Sequence, residues 1–351
     1  MKKKIFISLV LAIFFGIIFG VCTLYYSLEL WRYEGSDVIF EIKQGERFGV
    51  INSRLKNAGL IHSTRSFHRY AVMNNILTKF KSGKYLIKNG SNMTSIMKTL
   101  VYGKPMLQKV TIPEGKNLFE IGKILEEKMI TTYSKFTQKA KERTFVHSLG
   151  IPADRAEGYL YPDTYHFAIN TPPEKVINTM VQVFRNKTKA LDFTSHRLSK
   201  HEIITLASIV EKETGAAWER QKIAGVFFNR LKKKMRLQTD PTIIYGMYEQ
   251  YNGNIKREHK RIMTPYNTYR INGLPAGPIS NPGLEAIRAV LAPEDHGYLY
   301  FVSKNDGTHI FSKTYKNHIK GVDKFQKNHL NRRGKSWRDL KKNNRPNHLG
   351  N

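Results

Sequence analysis

The strongest local structure signal in this chain is the segment Ser199–Gly215, with the sequence SKHEIITLASIVEKETG. Ser199 followed three residues later by Glu202 forms a capping box, which marks the first turn of a helix. The apolar residues after it predict a helix with a wide buried face, and Gly215 is well placed to end that helix. The sequence therefore predicts a mostly buried helix whose last turn carries two carboxyl groups, Glu211 and Glu213.

Both carboxyl groups suit acid catalysis, because the negative end of the helix dipole and partial burial favour their protonated form. A general acid that breaks a glycosidic bond needs such a carboxyl near neutral pH. Glu211 and Glu213 lie about 200° apart around the helix, so one site does not use both. Periodicity does not choose between them, and ion pairs with Lys212 or Arg220 are the structural alternative.

Towards the N-terminus, one pattern recurs three times before residue 130. A strand-like run precedes a glycine, and apolar residues follow three, six and ten positions later. These offsets place three apolar side chains on one helix face, with the glycine in the turn before the helix. The three copies are Gly45 with Phe48, Ile51 and Leu55, Gly90 with Met93, Ile96 and Leu100, and Gly115 with Leu118, Ile121 and Leu125.

We expect the first two strand-like runs, residues 38–42 and 84–87, to pair and to carry both helices on one side. This pattern resembles the LysM family of carbohydrate-binding modules, which implies glycan binding. A generic α+β spacer explains the same pattern. A second glycan-binding candidate is the loop Glu157–Tyr165, where three tyrosines offer rings and hydroxyls to sugars, although core packing explains them equally well.

The N-terminus predicts a transmembrane helix over residues 5–27, because no charged residue occurs between Ile5 and Leu28. Lys2, Lys3 and Lys4 keep residues 1–4 in the cytoplasm by the positive-inside bias. No small-residue cleavage pattern follows the span. We therefore expect a single-pass protein of the cell (inner) membrane whose remaining chain is periplasmic, or extracytoplasmic.

The charge balance indicates polyanionic surroundings, since 58 Lys and Arg face 28 Asp and Glu, for a net charge of +30. The predicted orientation excludes nucleic acid as the partner and leaves anionic lipid or a carboxylate-bearing wall polymer. The single cysteine, Cys22, lies in the predicted span, so the exported part has no disulfide. Residues 328–351 hold one acid, Asp339, and are predicted to form a basic, disordered tail.

Several blocks of sequence appear in order between residues 155 and 325. Together they resemble the YceG-like family, whose bacterial members are endolytic murein transglycosylases. The resemblance extends through the anchor and the LysM-like region. The blocks are LASIVEKET at 206–214, FNRL at 228–231, MRLQTDPTIIYG at 235–246, TPYNTY at 264–269, GLPAGPI at 273–279 and YLYFV at 298–302.

With this resemblance, the sequence predicts an α+β protein with a transmembrane helix, a LysM-like α/β subdomain over residues 36–105 and a mixed α+β catalytic domain over residues 106–327. The implied activity is cleavage of the β-1,4 bond between N-acetylmuramic acid and N-acetylglucosamine inside nascent glycan strands, without water. The product is a 1,6-anhydro sugar end. No metal or organic cofactor is expected, and peptidoglycan synthases are the implied protein partners.

The resemblance assigns the catalytic acid/base role to Glu213, the second glutamate of the VEKE block, with Glu211 as the fallback. One glutamate suffices if the sugar's own C6 hydroxyl is the nucleophile. The rival readings are a hydrolase that adds Asp240 as a second carboxylate, and a noncatalytic wall-binding scaffold. The matching blocks supply the expected substrate-binding residues, which are Gln238, Thr239, Asp240, Tyr266, Asn267 and Tyr269.

Overall fold

The chain begins with a long apolar helix that runs directly into a π-helical turn. In this computed structural model, which describes residues 2–327 and the side chains of residues 5–327, α1 spans Lys2–Tyr25 and the turn spans Tyr26–Leu30. The segment Ile5–Leu30 contains an 18-residue window with a mean hydropathy of 2.9 and is long enough to cross a bilayer. Within the described residues it is the one candidate membrane anchor, as predicted.

The first compact unit comprises the chain up to Val110 together with residues 127–131 and 166–172. Strands β1 and β2 pair antiparallel, with Phe40 opposite Tyr85, and β3 pairs with β4. The elements that lie wholly or mostly in this unit are β1 (Val38–Ile42), α2 (Phe48–Asn57), α3 (Thr64–Met73), β2 (Gly83–Ile87), α4 (Met93–Tyr102), β3 (Leu107–Thr111) and β4 (Thr164–Ala168).

The predicted repeat of strand, glycine and helix is confirmed by the backbone. Gly45, Gly90 and Gly115 have φ values of 74°, 76° and 73°, in the left-handed region that glycine adopts without strain. A helix begins three residues after each of them. The pattern did not predict α3, because the residues three, six and ten positions after Gly59, the glycine before that helix, are polar. The helix starts from Ser63, whose side chain accepts a hydrogen bond from the backbone N–H of Ser66.

The core of the first unit is built from the apolar faces that the repeat predicts. Ile51 and Leu55 of α2 pack with Ile96 and Leu100 of α4, and all four are at most 1% exposed. Leu28 from the π-helical turn joins the same core. The apolar N-terminal helix is therefore continuous with an element that is built into the first unit. The assignment of this unit as LysM-like stays a prediction.

The second unit comprises residues 111–126, 132–165 and the chain from Pro173 onward, and its last described residue is Lys327. The predicted basic tail, residues 328–351, lies outside the described residues. The elements are α5 (Leu118–Glu127), α6 (Tyr133–Ala140), α7 (Arg143–Ser148), α8 (Pro173–Thr188), α9 (Lys200–Glu213), α10 (Arg220–Lys232), α11 (Asp240–Gly246), α12 (Leu284–Leu291), β5 (Tyr300–Ser303), β6 (His309–Ser312) and α13 (Tyr315–Val322).

Helix α9 is the central element of the second unit. It packs against α10, α11 and α12, and all eight residues from Ile203 to Val210 are buried. Strands β5 and β6 form an antiparallel hairpin that precedes α13. The mixed α+β character that the sequence predicts is therefore present in the described chain.

The tyrosine-rich loop does not present its rings to solvent. Tyr159, Tyr161 and Tyr165 are 4%, 7% and 5% exposed, and the Tyr159 hydroxyl lies 2.9 Å from Nδ1 of His201 on α9. The expectation of an exposed sugar-binding loop is wrong. The structure instead shows the alternative, core packing. Burial of the apolar part of each tyrosine ring stabilises the fold.

Candidate active site

Helix α9 sets the directions in which its two terminal carboxyl groups point. The predicted capping box is present: Ser199 Oγ accepts a hydrogen bond from the Glu202 N–H, and Glu202 Oε2 accepts one from the Ser199 N–H at 2.8 Å. The helix ends at Glu213, because Thr214 adopts an extended backbone conformation with φ −140° and ψ 137°. Glu211 and Glu213 therefore emerge on opposite sides of a rigid, buried helix.

Glu211 is held in fixed contacts. Its side chain is 6% exposed, and its Oε1 accepts a hydrogen bond from Arg220 at 3.1 Å. Its Oε2 accepts the backbone N–H of Gly283 at 3.0 Å. Burial raises the pKa of Glu211, while the Gly283 N–H and Arg220 oppose that rise. Both oxygens are thus occupied by protein groups, which matches the structural alternative that the sequence left open for this residue.

Glu213 instead borders a cavity of about 490 Å³ in the second unit. Burial raises the pKa of Glu213 to about 7, and the negative charge of Asp240 acts in the same direction. Thr239 and Arg230 lower that pKa in part. A carboxyl with a pKa near 7 exchanges its proton readily at neutral pH, which is the property that a general acid/base requires.

A polar wall of the cavity is held together by a cluster of three side chains. The Tyr269 hydroxyl donates a hydrogen bond of 2.7 Å to Asp240 Oδ1. Lys260 Nζ lies 3.3 Å from the same oxygen and 3.2 Å from the Tyr269 hydroxyl. All three residues line the cavity. Asp240 is consequently fixed at the start of α11, with its charge paired to Lys260.

The segment before α11 holds Gln238 in an unusual backbone conformation. Gln238 has a φ of 52°, in the left-handed region that residues other than glycine seldom adopt. Its neighbour Thr239 is 3% exposed and donates its backbone N–H to Thr268 Oγ1 at 3.0 Å. Thr242 Oγ1 lies 2.8 Å from Thr268 Oγ1. This buried threonine cluster holds Gln238 and Thr239 against the cavity.

A second part of the cavity wall comes from residues to which the sequence analysis gave no role. Arg230 on α10 is 8% exposed and donates hydrogen bonds of 2.7 Å to the carbonyl oxygens of Leu299 and Leu237. Its guanidinium lies 5.2 Å from the ring centroid of Tyr300 on β5. Arg230 lies three residues after Phe227, on the buried face of α10. This position is the sequence signal that indicates a buried arginine.

Aromatic rings complete that wall. Tyr300 stacks on His318 of α13 with ring centroids 5.3 Å apart, and Tyr315 lies 5.8 Å from Tyr300. Burial lowers the pKa of His318, and the positive charge of Arg230 lowers it further. Tyr315 is 62% exposed at the cavity rim. These rings lie far from Glu213 in the sequence, so no local pattern around Glu213 indicates them.

Two of the six predicted substrate-binding residues do not line this cavity. Asn267 is 1% exposed, and its side chain donates to the carbonyl oxygens of His259 and Ile262 and accepts the Tyr269 N–H. Tyr266 packs on Tyr245 with ring centroids 4.8 Å apart. The structure thus brings four predicted residues, Gln238, Thr239, Asp240 and Tyr269, to the cavity with Glu213.

A protein-family model matches most of this chain. The model of the YceG-like family matches residues 40–324. The chain belongs to the YceG-like family. The match includes the whole of α9 and every residue that lines the Glu213 cavity.

Relatives within the YceG-like family are similar over most of this chain. The endolytic murein transglycosylase of Bacillus subtilis (strain 168) is 33% identical over 308 residues, which are 82% of this chain and 84% of that protein. The endolytic murein transglycosylase of Streptococcus pneumoniae (strain R6) is 30% identical over 324 residues, which are 83% of this chain and 58% of the relative. This chain thus matches little more than half of the streptococcal protein.

A solved structure from the YceG-like family has a similar fold. The crystal structure of a yceG-like protein from Listeria monocytogenes aligns with a TM-score of 0.56 at 33% sequence identity. The alignment covers 81% of this chain and 99% of the listerial chain. The mixed α+β architecture described above is therefore one that a member of this family adopts in a crystal.

Proposed function

We propose that this protein is an endolytic peptidoglycan lytic transglycosylase. It cleaves the β-1,4 bond between N-acetylmuramic acid and N-acetylglucosamine within glycan strands and leaves a 1,6-anhydro end. The observation that carries this proposal is a single carboxyl group, Glu213, which combines a pKa raised to about 7 with access to a cavity. The names of the bacillary and streptococcal relatives support the same reaction.

In the proposed reaction Glu213 acts first as an acid and then as a base. The protonated carboxyl gives its proton to the glycosidic oxygen while the bond from that oxygen to C1 of the muramic acid breaks. The carboxylate that remains takes the proton of the C6 hydroxyl, whose oxygen bonds to C1. The proton is thereby restored to Glu213, and no water is consumed. A C6 hydroxyl held beside C1 acts at a very high effective concentration.

The surroundings of Glu213 fit this one-carboxyl reaction better than a two-carboxyl hydrolysis. Asp240 accepts the Tyr269 hydroxyl and pairs with Lys260, so its Oδ1 is engaged by the protein. Its negative charge raises the pKa of Glu213 and so favours the acid form. We assign Asp240 an electrostatic role, and we assign Gln238, Thr239 and Tyr269 roles in orienting the sugar beside Glu213.

The polar groups and rings of the cavity suit a sugar chain. Tyr300 and Tyr315 offer rings on which a pyranose face can stack. Tyr266 and Asn267 are assigned a supporting role, because their side chains stabilise the loop that carries Tyr269. The LysM-like role of the first unit, glycan binding, belongs to the proposal and is supported by its antiparallel β1 and β2 with their associated helices.

The apolar segment Ile5–Leu30 places this activity at a membrane in the proposal. The three lysines before it favour a cytoplasmic N-terminus, which puts both units outside the cytoplasm, next to newly made glycan. Peptidoglycan synthases, which make that glycan, are the proposed protein partners.

The test is mass analysis of the products that the full chain makes from uncrosslinked glycan strands. We expect fragments with 1,6-anhydro ends from the wild-type protein and at least about a hundredfold fewer from Glu213→Gln. Reducing ends in place of anhydro ends would replace the proposal with a hydrolase. Undiminished glycan binding without any bond cleavage by the folded wild-type protein would replace it with a wall-binding scaffold.

A further inference from the structure

The first unit contains a long stretch of sequence without a single acid. Residues 47–113 include twelve Lys and Arg and no Asp or Glu. Of these twelve basic residues, Arg54 alone forms an ion pair within the described part of the chain, with Glu46 at 2.6 Å. The remaining eleven keep their charge available to an external anion. Net charge alone does not identify that anion, so the position of these residues must decide.

Three of the basic residues lie within seven residues of a histidine that contacts the end of the apolar helix. His62 Nδ1 lies 2.9 Å from Ser27 Oγ, and its ring centroid lies 5.7 Å from that of Tyr26 and 5.9 Å from that of Trp31. Tyr26 and Ser27 belong to the apolar segment Ile5–Leu30. His62 therefore contacts the C-terminal end of the candidate anchor.

The basic residues closest to His62 in the sequence are Lys56, Arg65 and Arg69, which we call the basic collar. Lys56 Nζ donates a hydrogen bond of 2.9 Å to the His62 carbonyl oxygen. Arg65 lies three residues beyond His62, in the first turn of α3, and Arg69 lies one turn further on the same helix face. All three side chains belong to exposed residues.

The anchor cannot swing away from the basic collar without disrupting the core. Leu28 is 8% exposed within the core of the first unit, and Leu24 and Trp31 pack against that core. The π-helical turn Tyr26–Leu30 contacts both α3 and α4. The distance between the end of the anchor and α3 is consequently set by packing rather than by a flexible linker.

We propose that the basic collar binds the headgroups of anionic phospholipids in the leaflet from which the anchor emerges. Lys56 connects the collar to the end of the anchor through its hydrogen bond to His62. An anionic bilayer attracts basic side chains over only about one Debye length, so this position near the anchor matters. A wall polymer carries negative charge too, but binding it would not require basic residues next to the end of the anchor. This inference rests on the proposed membrane anchoring and is independent of the proposed reaction.

The test uses the full chain in lipid nanodiscs with a fluorophore at Asn57→Cys in a Cys22→Ser background. Asn57 is exposed and adjoins Lys56 at the end of α2. Discs contain a headgroup-linked quencher in either phosphatidylcholine alone or a mixture with phosphatidylglycerol. We expect phosphatidylglycerol to increase quenching about twofold or more, and high salt to remove the increase.

Two controls separate position from total charge. The triple variant Lys56→Gln, Arg65→Gln, Arg69→Gln is expected to lose the increase. Removing the same charge with Lys81→Gln, Lys104→Gln, Lys109→Gln should preserve it. These lysines lie in sequence near the Gly83 end of β2 or near Met106, whose N–H donates to the Lys84 carbonyl oxygen at that end. The other end of β2 leads to Asn92, which pairs with Arg32 just after the anchor. A fluorophore at Gln44→Cys, beyond that same end of the hairpin, should show no dependence on lipid charge.

The outcomes distinguish this inference from the anchoring on which it rests. Release of the wild-type chain from the discs at high salt would overturn the anchoring. Retention in the discs, with equal quenching in neutral and anionic lipid, would overturn the basic collar while the anchoring stands. This comparison uses the unaltered basic residues, so it holds even if the triple variant does not fold. Loss of the increase on adding soluble glycan strands would identify the wall polymer as the occupant instead.

Discussion

Glu157 and Glu213 are two of the carboxyl groups in the second unit with raised pKa values, yet their surroundings differ completely. Burial raises the pKa of Glu157 to about 8 and that of Glu213 to about 7. Glu157 is 1% exposed and accepts hydrogen bonds from the Leu118 N–H and from Asn281 Nδ2. Glu213 borders the 490 Å³ cavity. A raised pKa therefore marks a catalytic acid only where the carboxyl also has access to a substrate.

The Glu157 region shows what a buried carboxyl does when its role is structural. Leu118 is the first residue of α5, so Glu157 places an acceptor at the N-terminus of that helix. Asn281 accepts hydrogen bonds from the N–H groups of Gly158 and Leu160 and donates to the Lys116 carbonyl oxygen. These contacts join three segments of the chain and leave Glu157 no space for a ligand.

The largest expected effect tests the comparison directly. Glu213→Gln should reduce cleavage by about 10²–10⁴-fold, because an amide cannot donate and accept the catalytic proton. Glu157→Gln is the matched control and should retain activity within about tenfold, since a neutral Gln keeps an acceptor for Leu118 and Asn281. Release of anhydro-ended fragments measures both. Equal losses in the two variants would remove the distinction between the two carboxyl groups.

The next effect concerns the stability of the structural region. Asn281→Ala should lower the free energy of unfolding by about 2–4 kcal/mol, because it leaves several buried polar groups without partners. Asn272→Ala is the control: Asn272 is exposed and accepts one hydrogen bond of 3.3 Å from Arg236, so the change should cost about 0.5 kcal/mol or less. Denaturant unfolding gives both values, and a cost at Asn281 as small as at Asn272 would contradict its structural role.

The pH dependence of cleavage should report Glu213 rather than Glu157. The acid form of Glu213 is needed, so kcat/KM should fall as the pH rises through about 7. Asp240→Asn removes a negative charge that raises the pKa of Glu213, so the fall should move to lower pH, with a severalfold loss at pH 8. A pH profile that is unchanged in Asp240→Asn would contradict the electrostatic role of Asp240.

The smallest expected effect lies at the rim of the cavity. Tyr315→Ala should raise KM about two- to tenfold and leave kcat nearly unchanged, because a stacked ring contributes to binding but not to proton transfer. Tyr315→Phe keeps the ring and should behave like the wild type. Tyr315 is 62% exposed, so neither change should alter stability much. A fall in kcat at constant KM would argue against a binding role.

Local patterns in the sequence predicted the elements that depend on local forces. The capping box of α9 and the glycines at positions 45, 90 and 115 specify backbone conformations within a few residues, and all of them are present. The sequence also predicted that Gln238, Thr239, Asp240 and Tyr269 belong near Glu213, through family resemblance rather than through local patterns. These four residues do line the same cavity.

Features that depend on distant parts of the chain were not predicted. Tyr300, Tyr315 and His318 reach the cavity because the β5 and β6 hairpin packs beside α10, which no short segment encodes. Asn267 looks like a sugar-binding amide in sequence, but three backbone groups of its own loop use its hydrogen-bonding capacity. The difference between Glu211 and Glu213 likewise requires knowing where Arg220 and Gly283 lie.

The capping box at Ser199 makes the position of Glu213 sensitive to insertions and deletions in α9. It fixes the first residue of a helix of 14 residues, and Glu213 is the last of them. Each residue turns the helix by about 100°, so deleting one residue from α9 would rotate the terminal carboxyl away from the cavity even if every other side chain were kept. Insertions or deletions between the cap and Glu213 should therefore abolish activity more often than substitutions in the same helix do.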